Sequence, residues 1–238
     1  MTNLLHSIIL NFKNKSILKE RLNKNDIKKI VLNNDNDIKN NFVRTFKHDI
    51  DLFINTALEV HLLLVELDKK YGKDKTKIHS LAFINNAFQN LICSMSLYIL
   101  GYPVPSGNLM RHFIESISMT ILLIDYKSKY YKDFIKLGSD FKVNDAPFIV
   151  NRNAKTLHIN EKGWYILLMK RKFFNLGSHA SAFALSNIIN FSSQGIVLGA
   201  LFDDERNIIY KKDITGKINA AECLKDFVTD LDKMYCKN

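Results

Sequence analysis

A mainly α-helical bundle with a small β-hairpin near residues 195–213 is the fold this sequence predicts, on three observations. Apolar residues recur at three- and four-residue steps over long segments, which is the period of a helix with one buried face. Two stretches, Ile78 to Met110 and Phe173 to Phe202, contain no Asp, Glu, Lys or Arg and must supply most of the core. Near Gly195 the pattern changes to GIVLGALF, then DDERN, then IIYKKDI, which reads as two strands joined by a polar turn.

Taken in order, residues 1–39 read as a basic N-terminal segment and linker, rich in Lys, Asn and Asp, ahead of a single helical domain at 40–238. From Asn41 to Lys70 the residues Phe42, Phe46, Ile50, Phe53, Ala57, His61, Leu64 and Leu67 trace one face of a long helix. YGKDKTK breaks it, and a second helix follows from Ile78 to Leu100. GYPVPSG then makes a sharp turn, with Ser106 as N-cap of a third helix reaching Asp125. A Lys- and Tyr-rich connection and a loop around Pro147 lead to helices at 160–175 and 178–190, separated by Gly177. After the hairpin, Ile218, Ala221, Leu224, Phe227, Val228 and Leu231 mark a closing helix from Lys217 to Tyr235.

Composition bounds the function. Of the 238 residues 47% are hydrophobic and 24% charged, which places the chain among folded globular proteins rather than disordered ones. Cys93, Cys223 and Cys236 are odd in number, widely spaced and without metal-ligand spacing, so they read as reduced thiols of a cytoplasmic protein. The N-terminus has no secretory pattern, and the most apolar stretches are interrupted by Asn85, Asn86, Gln89, Asn90, Arg111 and Glu115, so no membrane span is expected. The formal charge is +10, concentrated in residues 1–39 and 127–172, a distribution suited to an anionic partner such as RNA. A solvated, Lys-rich surface is the alternative reading of the same charge.

Chemistry points to few residues. Asn108, Arg111, Glu115 and Ser118 form one polar stripe on the otherwise apolar third helix, with Arg111 and Glu115 at pairing distance four residues apart. Either the pair fixes helix register, or Glu115 orients Arg111 to hold a phosphate in its guanidinium fork. His179 follows Gly177-Ser178 as the only histidine in a long charge-free run and is a candidate acid or base. No phosphate-binding Gly-rich loop, nucleophile elbow or zinc-protease pattern is present. His112-x-x-Glu115 reverses the order used by di-iron bundles, so neither a metal nor another cofactor is expected.

The succession LMRHFIES on a central helix, RKFFNLGSHAS leading into another, then a Gly-containing hairpin and a closing helix resembles the HEPN superfamily of all-α bacterial and archaeal proteins. The likeness extends over residues 40–235. It implies a small helical bundle, often a homodimer, acting as a metal-independent endoribonuclease in a toxin–antitoxin or phage-defence setting, with RNA as substrate and a protein partner or antitoxin as its restraint. The family motif is an Arg, four to six residues, then a His. Here six residues separate His179 from Lys172, which stands in place of the Arg, and seven separate it from Arg171, with Asn175 between. The resemblance thus implies His179 as acid or base, with Arg171, Lys172 or Arg111 stabilising the charge that develops on phosphate, and Glu115 orienting Arg111. The same residues also fit a non-catalytic module that binds RNA or a partner protein.

Overall fold

The structure is a computed structural model that describes residue 28 and residues 36–142, 145–152, 189–190, 195–196 and 199–237. Helices α1 (Asn36–Thr45), α2 (Lys47–Tyr71), α3 (Ile78–Ile99), α4 (Pro103–Leu123), α5 (Lys129–Leu137), α6 (Ala146–Arg152) and α7 (Asn207–Lys237) account for most of these residues. The helix expected at 160–175 lies outside them, as does nearly all of the N-terminal segment 1–35.

The all-α expectation holds for the described residues. The segment beginning near residue 41 divides into α1 and α2, because Phe46 leaves helical geometry at φ −118°, ψ 27° while its ring stays buried. α3 and α4 then form an antiparallel hairpin around a sharp turn at Gly101 and Tyr102. Its register follows from two contacts: Ser94 lies against Ser106, and Asn86 donates to the Ser116 hydroxyl at 2.8 Å. Ser94 and Ser106 each donate to the other's carbonyl, at 2.9 and 2.8 Å, so small side chains let the two backbones approach with every buried polar group paired. Ser106 therefore packs inside the helix and is not its N-cap. α4 begins three residues earlier, where Pro103, with its fixed φ and missing N–H, occupies the first turn at no cost.

From Phe113 to Leu123 every residue of α4 is buried, so this helix runs through the centre of the domain. α6 packs on it, and α5 covers α3 through Phe134, whose ring meets those of His79 and Phe83. α5 falls where a Lys- and Tyr-rich connection was expected. Ser128 caps it by accepting the Tyr131 N–H at 3.1 Å, and Tyr130, Tyr131 and Phe134 pack against the bundle while its lysines stay outside. Pro147, expected in a loop, sits in the first turn of α6.

The hairpin at 195–213 is not present. Its second strand, IIYKKDI, belongs to α7: Tyr210, Ile214, Ile218, Ala221, Leu224, Val228, Leu231 and Tyr235 are all buried at three- and four-residue steps. The β-branched pair Ile208 and Ile209 imitated a strand, yet both are exposed, and the helical period continues through them. The DDERN turn is a short 3₁₀ segment, Asp204–Arg206, with Asp203 accepting the Glu205 N–H at its start. The pairing that the described residues do show is a two-residue antiparallel bridge between Ile189–Asn190 and Gly195–Ile196, so the helix expected over 178–190 does not extend through its last two residues.

α7 lies parallel to α2, because ion pairs Asp49–Lys211, Glu59–Lys225 and Lys70–Asp232 advance together along both helices. It lies antiparallel to α3, with Tyr98 against Asp213 at one end and Ser80 against Tyr235 at the other. No helix among the described residues is long and apolar enough to cross a membrane.

Candidate functional site

The fully buried run of α4 carries one carboxylate. Glu115 is 3% exposed, a costly position for a charge unless partners replace the lost water. It has two, both supplied by its own helix one turn earlier. The Arg111 Nε donates to Oε1 at 2.9 Å, and the His112 Nδ1 lies 3.1 Å from Oε2. The expected Arg111–Glu115 pairing is therefore present. The helix places it at the boundary where α4 emerges from the core: the Arg111 side chain is 24% exposed and that of His112 is 58% exposed.

Sequence reasoning missed His112 as a member of this group. Its signal was available, since position 112 precedes Glu115 by three residues and so shares its face. The rest of the expected stripe is not part of the cluster. Ser118 is buried and donates to the Ile114 carbonyl at 2.7 Å, an internal satisfaction of its own hydroxyl. His179, Arg171 and Lys172 lie outside the described residues, so their distance from Arg111 is not defined.

The geometry has chemical content. A carboxylate that accepts from Nδ1–H fixes the imidazole tautomer and leaves Nε2 free to accept a proton. Because Arg111 engages Glu115 through Nε alone, its two Nη groups have no hydrogen-bond partner among the described residues and can meet an anion. Among those residues there is no group of three His, Cys, Asp or Glu side chains arranged to hold a metal ion. Lys129, Lys132 and Lys136 project from the exposed face of α5 and form part of the basic surface expected from 127–172.

A second polar group, unforeseen from the sequence, lies where α3 ends against the start of α7. The Tyr98 hydroxyl donates to Asp213 at 2.9 Å, and the Lys217 ammonium sits 4.2 Å from the Tyr98 ring centroid. Asp203, Arg206 and Lys217 are buried nearby, and the Asp203 N–H donates to the Tyr210 hydroxyl at 3.1 Å. Phe42, Phe202 and Tyr210 pack their rings around this end of the bundle. Its residues are interlocked with the core, which gives the group a structural character.

Burial pushes the Tyr98 phenol well above its ordinary value and raises that of Tyr210 to about 12. A phenol with a folded pKa above its unfolded value of about 10 holds its proton more tightly in the folded state. Its contribution to stability is complete below pH ~10 and is lost as pH rises through about 12. Urea unfolding measured at successive alkaline pH values is expected to show stability falling by about 1.4 kcal/mol per pH unit for each such phenol in that window. Tyr210→Phe is expected to flatten the fall, and an unchanged slope in that variant contradicts the assignment.

Comparison of the chain with protein-family models, curated proteins and solved structures finds no match.

Proposed function

We propose that this protein is a metal-independent endoribonuclease of the HEPN type, acting in a bacterial or archaeal toxin or phage-defence context. The observation that carries this reading is the division of labour at Glu115, whose two oxygens orient a guanidinium and an imidazole side by side at the surface. In the reaction, His112 Nε2 takes the proton of a ribose 2′-hydroxyl as that oxygen attacks the adjacent phosphorus. The Arg111 Nη groups hold the non-bridging oxygens, where negative charge grows. The bond to the 5′-oxygen breaks, that oxygen takes a proton from solvent as His112 gives its own back to solvent, and a 2′,3′-cyclic phosphate and a 5′-hydroxyl remain. Lysines of α5 supply a surface on which an RNA backbone is attracted. His179, with Lys172 or Arg171, is the second candidate for acid or base, and it rests on the HEPN resemblance rather than on geometry.

The test is cleavage of structured and single-stranded RNA in EDTA, comparing wild type with His112→Ala, Arg111→Lys and His179→Ala. His112→Ala is expected to reduce kcat/KM by about 10²–10⁴-fold while the protein remains folded, the range typical of losing a positioned acid or base. Arg111→Lys keeps the charge and loses the fork, so it reads phosphate recognition separately. Loss of cleavage in His179→Ala alone would move the chemistry to the Lys172–His179 segment.

A non-catalytic module binding RNA or a partner protein is the second reading. It is favoured by the way both Glu115 oxygens are satisfied within one helix, as a purely structural carboxylate would be. Absence of cleavage in every RNA, together with salt-sensitive RNA binding that survives His112→Ala, would select it.

A further inference from the structure

Helix α3 reaches the surface, yet it has no Asp, Glu, Lys or Arg anywhere between Ile78 and Ile99. The side it turns to water carries Ala82, Asn85, Asn86, Gln89, Cys93 and Ser96. Such a side is ordinarily charged, and asparagine is a poor former of helix interiors, so these asparagines stand in α3 at a cost. Two have a local use: Asn85 donates to the Leu81 carbonyl at 2.9 Å and Asn86 to the Ser116 hydroxyl at 2.8 Å. Gln89, which is exposed, and Asn90, which is half-buried, have no hydrogen-bond partner among the described residues. The Asn86–Ser116 contact fixes where these two amides lie. One helical turn from it, toward the Gly101 turn, α3 presents Asn90 with Gln89 beside it, and α4 presents His112.

An uncharged polar surface beside a phosphate-holding arginine is poorly suited to the RNA backbone, which Lys and Arg attract, and well suited to base edges. Side-chain chemistry divides the bases. The paired acceptors of guanine call for Arg or Lys, and the amino group of cytosine for Glu or Asp. Adenine, with one donor next to one acceptor, calls for the amide of Asn or Gln, which accepts from the first and donates to the second. Of these reagents α3 supplies the amides alone. We infer that Gln89 and Asn90 select the base of the nucleotide whose phosphate Arg111 holds, and that this base is an adenine of single-stranded RNA, where its edges are free of pairing. The inference rests on the ribonuclease reading for the position of that phosphate. The lysines belong to α5, which packs on α3 at His79 and Phe83, about two turns from the amides, and they take the backbone beyond.

Fluorescence anisotropy tests it with 2′-O-methyl hexauridylates that carry A, C, G or U at one central position, since methylated probes bind without being cleaved. Wild type is expected to bind the adenine probe about tenfold more tightly than the others, within the range of one bidentate base contact. Gln89→Ala combined with Asn90→Ala is expected to bring the adenine probe down to the uridine level, with the uridine probe itself held within about twofold of wild type. Alanine is a better helix former at both positions, and far-UV circular dichroism confirms that the variant is folded. Asn85→Ala is expected to keep the preference, which separates placed amides from a chain merely rich in asparagine. Equal binding of every probe by wild type, tighter binding of another base, or a preference that survives the double variant would overturn the inference. Cleavage of RNA without any base preference defeats the inference and leaves the ribonuclease reading standing. Adenine preference without cleavage upholds the inference and removes the catalytic reading, and binding of no probe overturns both.

Discussion

Gly101→Ala is expected to lower the unfolding free energy by about 2–4 kcal/mol, a large share of the stability of an ordinary domain. Two costs act at once. The residue sits at φ +84°, a conformation that L side chains rarely adopt. A Cβ there would lie 2.7 Å from the backbone nitrogen of Leu201 and 2.8 Å from Ile38 Cγ2. Leu201 donates to the Gly101 carbonyl at 3.0 Å, so relieving the clash breaks the contact by which the 199–202 segment is fastened to the α3–α4 turn. Gly107, inside α4 with open space where its Cβ would be, is the control. Gly107→Ala is expected to be neutral or to stabilise by up to about 1 kcal/mol through helix propensity. Equal effects of the two substitutions in urea unfolding would show that Gly101 is not under steric constraint.

Arg111→Ala is expected to cost about 3 kcal/mol at neutral pH, more than Glu115→Gln, although Arg111 is the more exposed partner. Removing the arginine leaves a carboxylate that is 3% exposed with only the His112 ring to answer its charge. Glu115→Gln removes the charge itself and keeps an amide oxygen in place for the arginine. The order inverts the intuition that the buried member of a pair matters most. Thermal unfolding of both variants at neutral pH is the measurement, and a Glu115→Gln variant less stable than Arg111→Ala would contradict it.

Much of the bundle was legible because its helices obey one period and its core stretches lack charge. α2, α3 and α4 were foreseen to within a few residues at most ends. α7 was foreseen only from Lys217, ten residues late, because Ile208 and Ile209 satisfy a strand pattern locally. The arbiter was Tyr210 and Ile214, whose spacing continues that of Ile218 and Ala221. The start of α4 was misplaced for a related reason: Ser106 looks like a cap, but its hydroxyl is spent on Ser94 across the hairpin. At the site, Arg111 and Glu115 were found by their isolation in an apolar helix. His112 was passed over because it was weighed as a metal ligand rather than as a neighbour of Glu115. The buried Tyr98–Asp213–Lys217 group had no local signature, since it joins residues more than a hundred positions apart.

The parallel seam between α2 and α7 links residues 162 to 166 positions apart, whereas the α3–α4 hairpin closes over a three-residue turn. Closing the short loop costs little chain entropy, so that hairpin can form while the polypeptide is still being made. Docking of α7 must wait for everything between. Until then the apolar faces of α2 and α3 stand open to any other chain that reaches them, and the ribosome-bound intermediate is the form of this protein most in need of a chaperone.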